Sequence, residues 1–164
     1  MDGAGARDRR LTHQGVLTPA AHYQFVHTCV VEAPLEQVHG VLVDLEHYPD
    51  WWPQVRAVAS LGPDTALVVC RSVLPYDLEL VLDAVSREMT FLEVRISGPI
   101  AGGASWTLQH DPIGTSMTYR QEVVASGPLA VASYLIKPML RWNHATMMRG
   151  FERGIAKAAT RAVE

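Results

Sequence analysis

From residue 23 the chain alternates. Tyr23, Phe25, His27, Cys29 and Val31 take every second position, with Gln24, Val26, Thr28 and Val30 between them. That is the period of a strand with two distinct faces. Pro34 follows, suited to the first turn of a helix, where its missing N–H has no partner to lose. The period then changes. Leu35, Val38, Val41, Leu42 and Leu45 recur at helical spacing while Gln37, His39 and Asp44 fall outside the stripe, which predicts an amphipathic helix over a core. In His47-Tyr48-Pro49-Asp50-Trp51-Trp52-Pro53 two prolines bracket a tryptophan pair, predicting a short helix or tight turn.

Strand-like runs come next, at 55–61, 66–74, 78–85, 91–97, 105–111 and 116–124. Gly62-Pro63-Asp64 and Asp111-Pro112-Ile113-Gly114 are the turn chemistry between neighbours. The last segment, 129–163, predicts a long helix that Pro138 kinks or restarts. Beyond Pro138, Leu140, His144, Met148, Phe151 and Ile155 share one face. Arg141, Arg149, Glu152, Arg153 and Lys157 lie largely away from it. Residues 1–20 are polar and Gly-rich without a period and predict a flexible tail, leaving 21–164 as one domain. Consecutive strands with short links make an antiparallel meander, of about seven strands with the first strand included.

That order implies a cavity. A twisted antiparallel sheet curves, and one helix across its concave side does not fill the space. By alternation the inward residues are Tyr23, Phe25, His27, Leu78, Leu80 and Leu82. From the last two strands come Trp106, Leu108, His110, Met117, Tyr119 and Gln121. The mixture, mostly apolar with a few polar groups, is that of a small-molecule pocket; the same residues can equally fill a packed core. The expected ligand-binding set is Phe25, His27, Trp52, Tyr76, Leu80 and Trp106, together with Leu108, Met117, Tyr119, His144, Met148 and Phe151.

Composition narrows the partners. The 164 residues are 48% hydrophobic and 19% charged, with a formal net charge of -3. No basic surplus points to nucleic acid or to anionic lipid. No apolar stretch is long enough to span a bilayer, and no apolar run follows Arg7–Arg10 in the manner of a secretory signal. Cys29 and Cys70 sit in apolar runs and read as buried reduced thiols of a cytoplasmic protein.

Chemistry-bearing residues are few. His144, on the apolar helix face one turn from Met148, is either a general acid or base or a core histidine bonded to a carbonyl or to Tyr119. Tyr119 can donate to a ligand carbonyl or enolate, and His110 faces the same interior or lies exposed at a strand end. These three are the catalytic candidates. Trp51 and Trp52 form an aromatic gate, or else a core anchor and a surface residue. Asp77, Glu79 and Asp83 recur with period two, the pattern of a solvated outer face. No two histidines lie three or four apart on a helix and no Cys-x-x-Cys occurs, so neither a metal site nor a cofactor is expected. Gly98 and Gly103 are not followed by the lysine of a phosphate loop, and no Gly-x-Ser-x-Gly elbow occurs.

Several segments together resemble a known group. Val31-Glu32-Ala33-Pro34-Leu35-Glu36-Gln37-Val38 leads to Asp44 and then to Tyr48-Pro49-Asp50-Trp51-Trp52-Pro53. Leu74-Pro75-Tyr76, the run from Gly98 to Trp106, the run from Gly114 to Tyr119, and Arg141-Trp142-Asn143-His144 with Met148 follow in order. This resembles the START-like SRPBCC superfamily, often labelled polyketide cyclase/dehydrase, in an actinobacterial-type branch. The resemblance implies an α+β helix-grip fold of the START and birch-pollen-allergen type. In that fold a curved antiparallel sheet wraps around a long C-terminal helix, with two short helices after the first strand. It also implies a hydrophobic ligand, lipid- or polyketide-like, held by a carrier or sensor. The alternative is a polyketide cyclase, aromatase or dehydratase using the same cavity. A monomer or weak homodimer without stable membrane insertion is expected.

Overall fold

Strand pairing follows chain order almost throughout. The computed structural model describes residues 20–71, 77–126, 130–131 and 137–161. Its elements are β1 (Ala20–Val31), α1 (Leu35–Val43), a 3-10 turn (Leu45–His47), α2 (Tyr48–Trp51), β2 (Val55–Ser60) and β3 (Thr65–Arg71). Then come β4 (Asp77–Glu88), β5 (Phe91–Ser97), β6 (Ile100–Asp111), β7 (Gly114–Ser126) and α3 (Lys137–Arg161). All seven strands form one sheet, ordered β1-β7-β6-β5-β4-β3-β2, with every neighbouring pair antiparallel. The six later strands are the expected meander; β1 closes onto β7, leaving β1 and β2 as edges. This is the START-like helix-grip architecture. The expected tail, Leu74 to Tyr76 and the start of the long helix at Leu129 lie outside the described residues.

Several strands run beyond their sequence reading, β6 and β4 among them. β6 begins at Ile100 rather than Ser105. Ala101, Gly102 and Gly103 carry no β-propensity, but pairing with β7 decides the matter. Gly102 is needed there: its φ is +155°, and a Cβ would run into the Glu122 carbonyl oxygen. β4 continues to Glu88 through an irregularity between Ala84 and Ser86, the kind of bulge that bends a strand.

Pro34 stands at the N-cap of α1 rather than inside its first turn. Thr115, fully buried, donates to the Ala33 carbonyl at 2.8 Å and pins the start of β7 to this junction. Leu35, Val38 and Leu42 face the core, as the helical spacing predicts. Pro138 lies in the first turn of α3, a position that tolerates its missing donor. From α3, Met148, Phe151, Ile155 and Ala159 are buried to 1% exposure or less, so the predicted apolar stripe is the packed face from Met148 onward, the Leu140 side chain lying outside the described residues. Glu152 departs from its reading: it borders the stripe and reaches His27 on β1 at 2.7 Å.

α3 packs against α1, α2 and β1. The approach to α2 is close, because a Cβ on Gly154 would collide with the Trp51 carbonyl oxygen. Among the described residues, no helix is long and apolar enough to cross a membrane.

Candidate functional site

Because α3 lies over β1, α1 and α2, it leaves the concave side of β2–β5 uncovered among the described residues. The space there is a cavity of about 560 Å³, within the usual range of about 300–1,000 Å³ for small-molecule sites. Alternation builds its walls. β3 contributes Val68 and Cys70, β4 contributes Leu80, Leu82 and Ala84, and β5 contributes Leu92, Val94 and Ile96. On β2 the register shifts between Val55 and Ala57, so Val55 and Val58, three apart, both face inward. Ala104, Trp106, Tyr119 and Gln121 close the deep end. Leu42, Val43, Leu45, Tyr48, Trp52 and Met147 form the opposite wall.

The rim is charged. His39, Asp44 and Glu46 lie on one side and Asp64 with Arg87 on the other. Arg87 pairs with Asp64 at 3.2 Å and donates to the Pro63 carbonyl at 3.1 Å. His39 Nε2 donates to the Arg87 carbonyl at 3.2 Å, tying α1 to the end of β4.

Inside, polar groups are few. Ser60, Thr65 and Ser86 line the cavity, but their hydroxyls are bonded to the Gly62 carbonyl, the Asp83 carboxylate and the Phe91 carbonyl. The side chains of Tyr119, Gln121 and Cys70 make no hydrogen bond among the described residues. Burial drives the Tyr119 phenol well above its ordinary range, with Cys70 and Tyr48 adding smaller pushes. Burial, then Asp77, pushes the Cys70 thiol up to about 11. Near neutral pH both are uncharged: they can orient a guest by hydrogen bonding, but neither is a nucleophile or base.

The structure sorts the sequence candidates into groups. Trp52, Leu80, Trp106 and Tyr119 line the cavity. Leu108, Met117, Met148 and Phe151, each at most 1% exposed, belong to the packed core and do not line it. Phe25 and His144 stack on one another, centroids 3.9 Å apart and rings 9° from parallel. His27 is bonded to Glu152. Tyr76 lies outside the described residues. His110 does not join any group: it keeps the inward phase of β6 but is exposed, opposite a Thr115 already covered by the Ala33 junction.

His144 stands apart from the cavity lining, its ring centroid 6.1 Å from that of Tyr119. Its Nε2 is buried with no hydrogen-bond partner among the described residues. Desolvation first, and His27 second, hold its pKa down to about 4, so the imidazole is neutral. The tryptophan pair is an anchor for α3. Trp52 is buried, donates from Nε1 to the Met147 carbonyl at 3.2 Å and meets Phe151 edge-on at 4.9 Å. Trp51 meets Tyr48 and Phe151 at 4.8 and 5.6 Å. Asp77 and Glu79 are exposed as expected, and Asp83 accepts the Thr65 hydroxyl.

Sequence reasoning missed the walls from β2, β3 and β5 and the charged rim. Val68 and Cys70, and Leu92, Val94 and Ile96, do carry the period of two. The register shift that turns Val58 inward has no sequence signature.

Comparison with known proteins agrees with this architecture. A family model described as polyketide cyclase / dehydrase and lipid transport matches residues 22–163. No curated protein sequence matches the chain. Among solved structures, the Zhui aromatase/cyclase from Streptomyces sp. R1128 superposes with a TM-score of 0.69 at 16% identity, over 88% of this chain and 97% of that one. A START superfamily protein from Mycobacterium smegmatis superposes with a TM-score of 0.69 at 12% identity, over 87% and 99%. A protein from Thermus thermophilus reaches 0.73 at 11% identity, over 87% and 100%. Likenesses at such identities show the fold. With a matched model across nearly its whole length, the chain belongs to the polyketide cyclase/dehydrase and lipid transport family.

Proposed function

We propose that the protein binds a hydrophobic or aromatic small molecule, lipid- or polyketide-like, in this cavity and acts as its carrier or sensor. The observation that carries the reading is the lining: aliphatic and aromatic walls with neutral Tyr119, Gln121 and Cys70 as interior polar contacts. Apolar area removed from water supplies about 25 cal/mol per Å², and a few fixed donors set orientation.

A cyclase, aromatase or dehydratase acting in the same cavity has one observation on its side. The Tyr119 side chain faces the interior, where its hydroxyl can donate to a carbonyl or enolate oxygen. The proton-transfer partner such chemistry calls for is not supplied by His144 or His110, neither of which lines the cavity.

Native mass spectrometry of protein purified from its own host identifies the guest. Independently, 1-anilinonaphthalene-8-sulfonate fluorescence reads cavity occupancy. Leu82→Trp, which narrows the cavity from β4, is expected to lower the enhancement with far-UV circular dichroism unchanged. Equal enhancement in that variant removes the cavity as the site. If the isolated guest is converted by the parent protein, and Tyr119→Phe lowers kcat with KM unchanged, the enzyme reading replaces the carrier.

A further inference from the structure

At the other side of the molecule, β1 and α3 bring together three side chains, two of which the sequence keeps 125 positions apart. His27 and Cys29 sit two apart on β1 and share its inward face. Glu152 reaches them from α3. Their donor atoms, one imidazole nitrogen, one thiol sulfur and one carboxylate oxygen, all lie within 4.8 Å of one another. His27 Nε2 donates to Glu152 Oε1 at 2.7 Å. All three are half-buried, and none lines the cavity.

We propose that His27, Cys29 and Glu152 form a divalent-cation site of the Zn²⁺ type, with the fourth position left to an exchangeable ligand. The donor set selects the metal. Sulfur and imidazole nitrogen suit Zn²⁺, whereas Mg²⁺ and Ca²⁺ take oxygen ligands. Three protein ligands with an open position is the arrangement of a reactive or ligand-exchanging zinc rather than a closed structural one. The distances are within reach. Metal–ligand bonds of about 2.0–2.3 Å at tetrahedral angles place ligand atoms about 3.4–3.6 Å apart. The nitrogen–oxygen pair therefore opens by about 0.7 Å, and the longest separation closes by about 1.2 Å or less. Rotation about the Glu152 side-chain bonds accommodates both, because the carboxylate is at the end of a flexible stem while β1 holds His27 and Cys29 in register. The hydrogen bond between Nε2 and the carboxylate occupies the direction along which both would bind the ion. Binding breaks that hydrogen bond, moves the neutral ring's proton to Nδ1 and exchanges the thiol proton for the cation, so one proton is released and no oxidant or reductant is involved.

The test uses the full chain, stripped by a chelator and titrated with Co²⁺ and then Zn²⁺. The expected result is a thiolate-to-Co²⁺ charge-transfer band saturating at one equivalent, bleached by Zn²⁺ and indifferent to excess Mg²⁺. Cys29→Ser removes the band, Cys70→Ser keeps it, and Glu152→Gln weakens Zn²⁺ binding by at least about tenfold. Far-UV circular dichroism checks that each variant is folded. No thiolate band in the parent protein, a band that depends on Cys70, or Zn²⁺ bound by Cys29→Ser as tightly as by the parent overturns the proposal. Because the readout is metal binding alone, it is independent of what the cavity holds.

Discussion

Burial keeps His144 neutral, and that has a pH signature. Its pKa is about 4 in the folded protein against an ordinary 6.5. As pH falls, the unfolded chain takes up the proton first, so protonation favours unfolding. The stability contributed by the neutral ring is complete above pH 6.5 and is lost as pH falls towards 4. Urea midpoints measured across this window should fall more steeply for the parent protein than for His144→Leu. Parallel curves would mean that the ring is solvated. Two glycines give a second residue-scale contrast. Gly154→Ala forces a Cβ against the Trp51 carbonyl and should cost about 1–3 kcal/mol, the range for overpacking. Gly40, in the middle of α1, meets nothing within 4 Å, so Gly40→Ala should gain about 0.5–1 kcal/mol from helix propensity. Urea unfolding of both variants reads the two signs.

At the scale of elements, α3 is held by aromatic rings more than by its own propensity. Phe151 lies between Trp52 at 4.9 Å and Trp106 at 4.6 Å, stacked on the latter. Trp106 in turn lies 4.2 Å from Tyr119 on the neighbouring strand. A chain of rings thus joins α2, α3, β6 and β7. Phe151→Ala is expected to destabilise by about 3–5 kcal/mol and to loosen α3 from α2, read as faster amide exchange along α3 than elsewhere. Uniform exchange across the molecule would show that α3 does not move as a unit. The elements themselves were legible where periods are clean. The stripe through Met148, Phe151 and Ile155 is the packed face, and Leu35, Val38 and Leu42 face the core. They were illegible where pairing overrides propensity, as at Gly102 and Gly103, or where a register shift changes the facing residue, as at Val58. Glu152 reads as a surface charge because it is a carboxylate beside the stripe; only the crossing of α3 over β1 gives it His27 and Cys29 as neighbours.

For the whole molecule the uneven coverage of the sheet matters most. A helix laid over β1, α1 and α2 leaves β2–β5 with apolar faces turned towards a void of about 560 Å³. A void that size forgoes packing that a filled core would have. Leu82→Trp should therefore raise the free energy of unfolding by about 0.5–2 kcal/mol, as cavity-filling substitutions commonly do, while weakening guest binding. A variant that loses both stability and binding would show that the void had already been closed by neighbouring side chains.

The sequence by itself determined the elements and their order, because strand and helix periods are local and short links force neighbours to pair. It also determined that the interior is apolar with few polar groups, since composition and alternation are written residue by residue. Tertiary structure alone decided which inward residues face a cavity and which fill the packed core. Leu80 and Leu108 look alike along the chain, each an inward leucine on a strand, yet one lines the void and the other fills the core. That difference depends on where one helix crosses a bent sheet, a choice made by contacts between segments far apart in sequence.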